Sequence, residues 1–208
     1  MTYVIGLTGS IASGKSNLSD ALRREGAPVI DADQISRALT APGGPALPGI
    51  EKTFGARFVQ NGMLDRKALG ALVFSDKKAL SALNRLTHPL ILQRIIQEKE
   101  ALERLNAPAC VLDAPLLFEA GLEDLCDTVW CAWLPMKLQI KRLRERDGLT
   151  EKEARQRIGS QLPPLVKRRR SDFVIDTRGT REESAQKAVL RYREVLAALA
   201  SKNEEEPR

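Results

Sequence analysis

The chain has 208 residues, 43% hydrophobic and 29% charged, an ordinary balance for a soluble protein and enough length for one α/β domain with insertions. No apolar run approaches the roughly 20 residues of a membrane span. The N-terminus passes straight into a strand pattern, which reads as no signal peptide. Cys110, Cys126 and Cys131 are odd in number with no C-x-x-C spacing and stand beside a single histidine, His88. That excludes an ordinary zinc site and reads as reduced, mostly buried thiols in a cytoplasmic protein. The formal charge of +6 is unevenly spread: residues 137–170 hold twelve bases against four acids, so the rest of the chain sums to −2. One cationic arm needs an anionic partner, either nucleic acid or a polyphosphate.

Residues 3–7 are apolar and β-branched, the pattern of a buried strand. They lead into Gly9-Ser10-Ile11-Ala12-Ser13-Gly14-Lys15-Ser16, which fits G-x-x-x-x-G-K-[ST] at every required position. Leu18, Ala21 and Leu22 then recur at helical spacing over 17–24. Strand, glycine loop and helix are the context in which this motif binds phosphate. Backbone N–H groups point inward, and the helix N-terminus adds its positive end. Lys15 is placed to reach the β- and γ-phosphates, and the Ser16 hydroxyl to ligate Mg²⁺.

Residues 27–30 predict a short strand ending in Asp31-Ala32-Asp33. In an extended segment Asp31 and Asp33 share one face, at the carboxyl end of a strand, where open α/β sheets bind ligands. Asp33 reads equally as a proton acceptor for an attacking hydroxyl and as the N-cap of a helix starting at Gln34. From 36 to 105 the texture is helical, with patterns over 50–54, 66–73, 78–86 and 90–105 and no convincing strand. Pro89 is expected to separate the last two helices, since the residue before proline avoids the α region. His88 beside it reads as structural on its chemistry alone.

Residues 109–113 predict a third strand tipped by Asp113, suited to holding Mg²⁺ directly or through water. Residues 128–133 predict a fourth, with Trp130 and Trp133 on opposite faces; a strand covered on both sides accounts for them better than a base-stacking platform. Pro135 opens a helix on which Arg142 and Arg146 are i,i+4 neighbours, a guanidinium pair suited to a phosphate chain. Thr150-Glu-Lys-Glu153 is a capping box for a second helix. Lys167 to Arg170 read as part of the same arm or as a solvated helix face. Residues 172–176 predict the fifth strand, 181–200 a last helix, and 201–208 a frayed acidic tail.

Taken in order, G-L-T-G-S-I-A-S-G-K-S (6–16), V-I-D-A-D (29–33), L-T-H-P-L-I (86–91), D-A-P-L-L-F-E-A-G-L (113–122), the segment 138–150 and D-F-V-I-D (172–176) resemble the dephospho-CoA kinase family over roughly residues 2–200. The resemblance implies a P-loop NTPase fold: a five-stranded parallel sheet flanked by helices, with a helical substrate-binding insertion and a helical lid. The core would be 1–35, 106–136 and 171–200, the CoA-binding insertion 36–105 and the lid 137–170. It implies ATP-dependent phosphorylation of the ribose 3′-hydroxyl of dephospho-CoA, giving CoA and ADP. Lys15, Asp33 and Arg142 would be catalytic. Gly9, Ile11, Ala12, Ser13, Gly14, Lys15, Ser16, Asn17, Arg142 and Arg146 would bind ATP; Asp33, His88, Leu117 and Phe118 the acceptor; Ser16 and Asp113 the Mg²⁺. The partners would be these two small molecules, without nucleic acid or membrane, for a monomer or weak homo-oligomer. Relatives usually carry glycine at Ser10 and Ala12, threonine at Asn17, and D-N-x-G where this chain has Asp176-Thr177-Arg178-Gly179. The same core residues would serve a kinase of another hydroxyl acceptor such as a nucleoside. A regulatory GTPase lacks its N-K-x-D here, and a nucleic-acid-binding protein would use the basic arm without ATP.

Overall fold

The computed structural model describes residues 1–205. In chain order the elements are β1 (Tyr3–Gly9), α1 (Lys15–Arg24), β2 (Val29–Asp31), α2 (Ala32–Leu39), α3 (Leu47–Phe54), β3 (Val59–Gln60), β4 (Met63–Leu64), α4 (Arg66–Ser75), α5 (Lys77–Arg104), β5 (Ala109–Asp113), β6 (Thr128–Trp133), α6 (Met136–Asp147), α7 (Glu151–Gly159), α8 (Pro164–Arg170), β7 (Phe173–Asp176) and α9 (Arg181–Glu205). The chain falls into two units, Met1–Ile30 with Ala101–Arg208, and Asp31–Glu100.

The first unit is built on a five-stranded parallel sheet in the order β2-β5-β1-β6-β7. The side-chain period of 2 sends Ile5 and Leu7 of β1 to one face, into a cluster with Leu18 and Leu22 of α1, Trp130 of β6 and Ala188 and Tyr192 of α9. On the other face Gly6 leaves space that Leu117 and Cys126 fill; a Cβ there would meet the Cys126 sulfur at 2.7 Å and Leu117 Cδ1 at 2.8 Å. Both faces are therefore covered, as parallel strands require. The register sets Leu7 beside Asp113, Gly9 beside Ala132 and Trp133 beside Asp176, so the carboxyl ends of four strands form one rim. Within the basic segment, Ile140 and Leu143 of α6 and Ala154 and Ile158 of α7 make a small core of their own, against which Ile11, Ala12 and Leu149 pack.

The second unit has its own core, from Leu47 and Ile50 through Phe58, Val59 and Leu69. Here three expectations give way. The segment contains a strand pair, with Val59 opposite Leu64 and Gln60 opposite Met63. Asn61 and Gly62 between them have φ of 52° and 70°, the left-handed pair of a type I′ hairpin turn. The helix around Pro89 is not broken either: α5 runs through it for 28 residues. Losing one N–H donor inside a helix costs about 3 kcal/mol. Leu83, Leu86 and Leu90, on both sides of the proline, pack on one cluster and hold the helix together. Finally, the strand stops at Asp31, so Asp31 and Asp33 do not share an extended face. Asp31 is the N-cap of α2 and accepts from the Gln34 N–H at 2.9 Å, while Asp33 lies in the first helical turn. At the far end of the chain α9 continues to Glu205 instead of fraying from 201, and 206–208 lie outside the described residues.

Candidate active site

The phosphate loop follows β1 without a spacer. A Cβ on Gly9 would meet the Ala132 carbonyl at 2.9 Å, so the strand-to-loop exit needs a residue without one. The Ser13 N–H donates to Ser10 O at 3.0 Å and closes the loop, and Gly14, φ 91°, turns it into α1. Ala12 is held at φ 60°, a left-handed conformation that an L-residue with a Cβ adopts at a cost of about 1–2 kcal/mol. The hydroxyls of Ser10 and Ser13 are buried and make no hydrogen bond among the described residues. Ser16 is exposed one residue into α1. Asn17 donates through Nδ2 to Arg181 O at 2.8 Å, which ties the start of α1 to that of α9.

Around this loop the rim gathers charge. The Lys15 ammonium is ion-paired with Asp113, which is 4% exposed at the tip of β5. Arg142 reaches in from α6 and donates to Ala12 O at 3.3 Å and Thr177 O at 2.7 Å. Thr177, 2% exposed after β7, donates its hydroxyl to Ser13 O at 2.6 Å and its backbone N–H to Trp133 O at 3.0 Å. Helix α6, the phosphate loop and two strands thus converge on one threonine. Nothing in the D-T-R-G pattern singled it out; its place at the end of a rim strand was the available signal.

Other expected members are placed differently. Arg146 lies one turn from Arg142 on α6. It forms a forked pair with Asp147 at 2.7 and 2.9 Å, and that hydrogen bonding holds the Asp147 carboxyl below the usual carboxylate range. The Leu117 side chain is fully buried against Gly6, and Phe118 is 7% exposed with the Arg170 guanidinium 4.3 Å from its ring centre. Leu117 is buried because the sheet face over Gly6 has to be filled. Lys167 is not solvated: it is 0% exposed and paired with Glu119 at 2.8 Å. Aromatic contacts to the basic segment, absent from the sequence pattern, do form, with Arg168 4.3 Å from the Trp133 ring centre. In the second unit Asp33 is exposed in the first turn of α2, where its charge complements the helix N-terminus, and His88 is half-buried in α5. Burial pushes the thiols of Cys126 and Cys131 up to about 12 and about 11, so neither offers a thiolate nucleophile near neutrality.

As metal ligands the rim offers the Ser16 hydroxyl and the Asp113 carboxylate. Among the described residues no cluster of three or more His, Cys, Asp or Glu side chains forms an all-protein cage. Hard oxygen donors, few in number, suit Mg²⁺, which keeps waters and shares its shell with substrate phosphates.

The family model described as dephospho-CoA kinase matches residues 3–183. The chain belongs to the dephospho-CoA kinase family. The dephospho-CoA kinase of Geobacillus kaustophilus is 48% identical over 185 residues, covering 88% of this chain and 92% of that one. A Thermus thermophilus protein of known crystal structure superposes with a TM-score of 0.77 at 36% identity, covering 92% of this chain and 97% of its own. The dephospho-CoA kinase of Campylobacter jejuni gives 0.73 at 29% identity, covering 95% and 99%. Membership accounts for the five-stranded sheet and the phosphate loop together.

Proposed function

We propose that this kinase transfers the γ-phosphoryl group of ATP to the ribose 3′-hydroxyl of dephospho-CoA, releasing CoA and ADP. The observation that carries the reading is the convergence of Lys15, Asp113 and Arg142 on one phosphate loop in a chain of this family. Phosphoryl transfer through a loose transition state needs positioning and charge more than covalent help. The loop N–H groups that Ser10 O and Gln161 do not engage hold the phosphates. Lys15 leaves Asp113 for the β- and γ-phosphates, and Arg142 meets the charge that builds on the transferring group. Asp33 orients the acceptor hydroxyl and takes its proton. Ser16 and Asp113 would hold Mg²⁺, which would supply positive charge against the phosphates. The unit 31–100, with His88, is the acceptor-binding part, and 137–170 is the lid whose closure keeps water from the γ-phosphate.

The charge of the basic segment also supports a small-molecule kinase. Arg146 and Arg157 pair with Asp147, Arg155 with Glu151, Lys167 with Glu119, and Arg170 with Glu123. These pairs engage five of the segment's twelve bases within the chain, and the segment keeps a net positive charge suited to a triphosphate. Among the described residues no helix is long and apolar enough to cross a membrane. A cytoplasmic enzyme, monomeric or weakly associated, fits this reading.

The test is ADP release with ATP and Mg²⁺, offering dephospho-CoA beside adenosine. Release is expected with dephospho-CoA alone, and Asp33→Asn is expected to lose about 10²-fold or more in kcat while binding ATP unchanged. Release with adenosine instead would keep the kinase and replace the acceptor.

A further inference from the structure

The transfer chemistry leaves unused a buried lysine, a carboxylate and a side-chain amide, and these form one hydrogen-bonded path ending on the phosphate loop. Lys167, with no exposure at all, donates to the Pro115 carbonyl, which also accepts from the Thr8 hydroxyl of β1 at 3.2 Å. The same ammonium pairs with Glu119 at 2.8 Å, and Glu119 Oε1 accepts from the Leu162 N–H at 2.9 Å. The neighbouring Gln161 reaches 150 positions back, its Oε1 accepting from the Ile11 N–H at 2.9 Å. The path therefore leaves the sheet at Thr8 and returns three residues later at Ile11, having passed through the loop after Asp113 and the hinge between α7 and α8.

An ion pair between a buried Lys167 and a Glu119 carboxylate whose side chain is 22% exposed gains little net stability, because desolvating the ammonium offsets much of the attraction; its use is in fixing geometry. Here what it fixes is the hinge that carries Gln161. A neutral amide oxygen is also the suitable acceptor for that loop. It holds a backbone N–H in line without setting a negative charge beside a polyphosphate. We propose that Gln161 is a positioning residue for the phosphate loop, kept in register by the Glu119–Lys167 pair and acting through the loop on the bound triphosphate. This rests on the reading of Gly9–Ser16 as the ATP site.

The experiment is calorimetric binding of a non-hydrolysable ATP analogue to the full chain, with thermal stability and the KM for dephospho-CoA measured in parallel. Gln161→Glu keeps an acceptor for Ile11 but adds a like charge near the phosphates, and is expected to weaken analogue binding about tenfold or more with the melting temperature and acceptor KM unmoved. Gln161→Leu removes the acceptor and is expected to weaken binding about three- to tenfold. Glu119→Gln is expected to weaken it too, with the double variant Glu119→Gln/Gln161→Leu no worse than the weaker-binding single one, since both cut the same path. Wild-type affinity in Gln161→Glu, or additive losses in the double variant, would overturn the proposal. Should Glu119→Gln fail to fold, the two Gln161 variants decide it alone. Wild type that binds no analogue would overturn the ATP-site reading itself, which separates the two failures.

Discussion

Thr177 shows how much geometry one small side chain can hold. Its hydroxyl satisfies the Ser13 carbonyl and its own carbonyl receives Arg142, so the loop that holds phosphate and the arginine that closes on it share a support. Thr177→Val preserves shape but leaves the Ser13 carbonyl short of a donor, a loss of about 1–3 kcal/mol. The expected outcome is a lower unfolding midpoint in denaturant and a raised KM for ATP, with both restored by Thr177→Ser. Equal behaviour of the valine and serine variants would mean that the hydroxyl has no such role. The phosphate loop around Lys15 was legible in the sequence because its motif fixes both residue type and spacing. Thr177 was not legible, because its partners lie up to 164 positions away and its local pattern is that of any turn.

At the scale of elements, amphipathic spacing and caps located most helices correctly. The capping box at Thr150 forms with both of its hydrogen bonds, and Gly148 ends α6 with φ 66°. Local rules failed where packing outweighed them. Pro89 should end a helix, yet α5 passes through it on apolar contacts from either side. Pro89→Ala is therefore expected to raise stability by about 1–3 kcal/mol, read as a shift of the denaturant midpoint with an unchanged slope. The hairpin Val59 to Leu64 was missed although Asn61-Gly62 is the strongest short-range signal for one; its two-residue strands are too short to show alternation. Asp31 and not Asp33 became the cap of α2 because the strand gives way to helix one step after Asp31. That frees the capping question from the functional one, and leaves Asp33 to be judged by its substitution.

For the whole molecule, two units with separate cores imply two cooperative steps. Both tryptophans, Trp130 and Trp133, lie in the first unit, so their fluorescence reports that unit while far-ultraviolet circular dichroism reports both. We expect the two signals to give non-coincident denaturant transitions, and saturating ATP to shift the fluorescence transition upward by the linkage of binding to folding. Coincident transitions would show that the chain unfolds as one. The sequence by itself determined the strand–loop–helix of the phosphate site, the acid-tipped strand at Asp113 and the family, since each depends on residue type at short, fixed spacing. Tertiary structure alone decided that Lys167 is buried and paired with Glu119, that Arg146 takes Asp147 as its partner, and that Leu117 and Phe118 are buried. The physical reason is that a side chain's charge is written in the sequence, whereas its partner is whatever group the folded chain brings within a few ångströms of it.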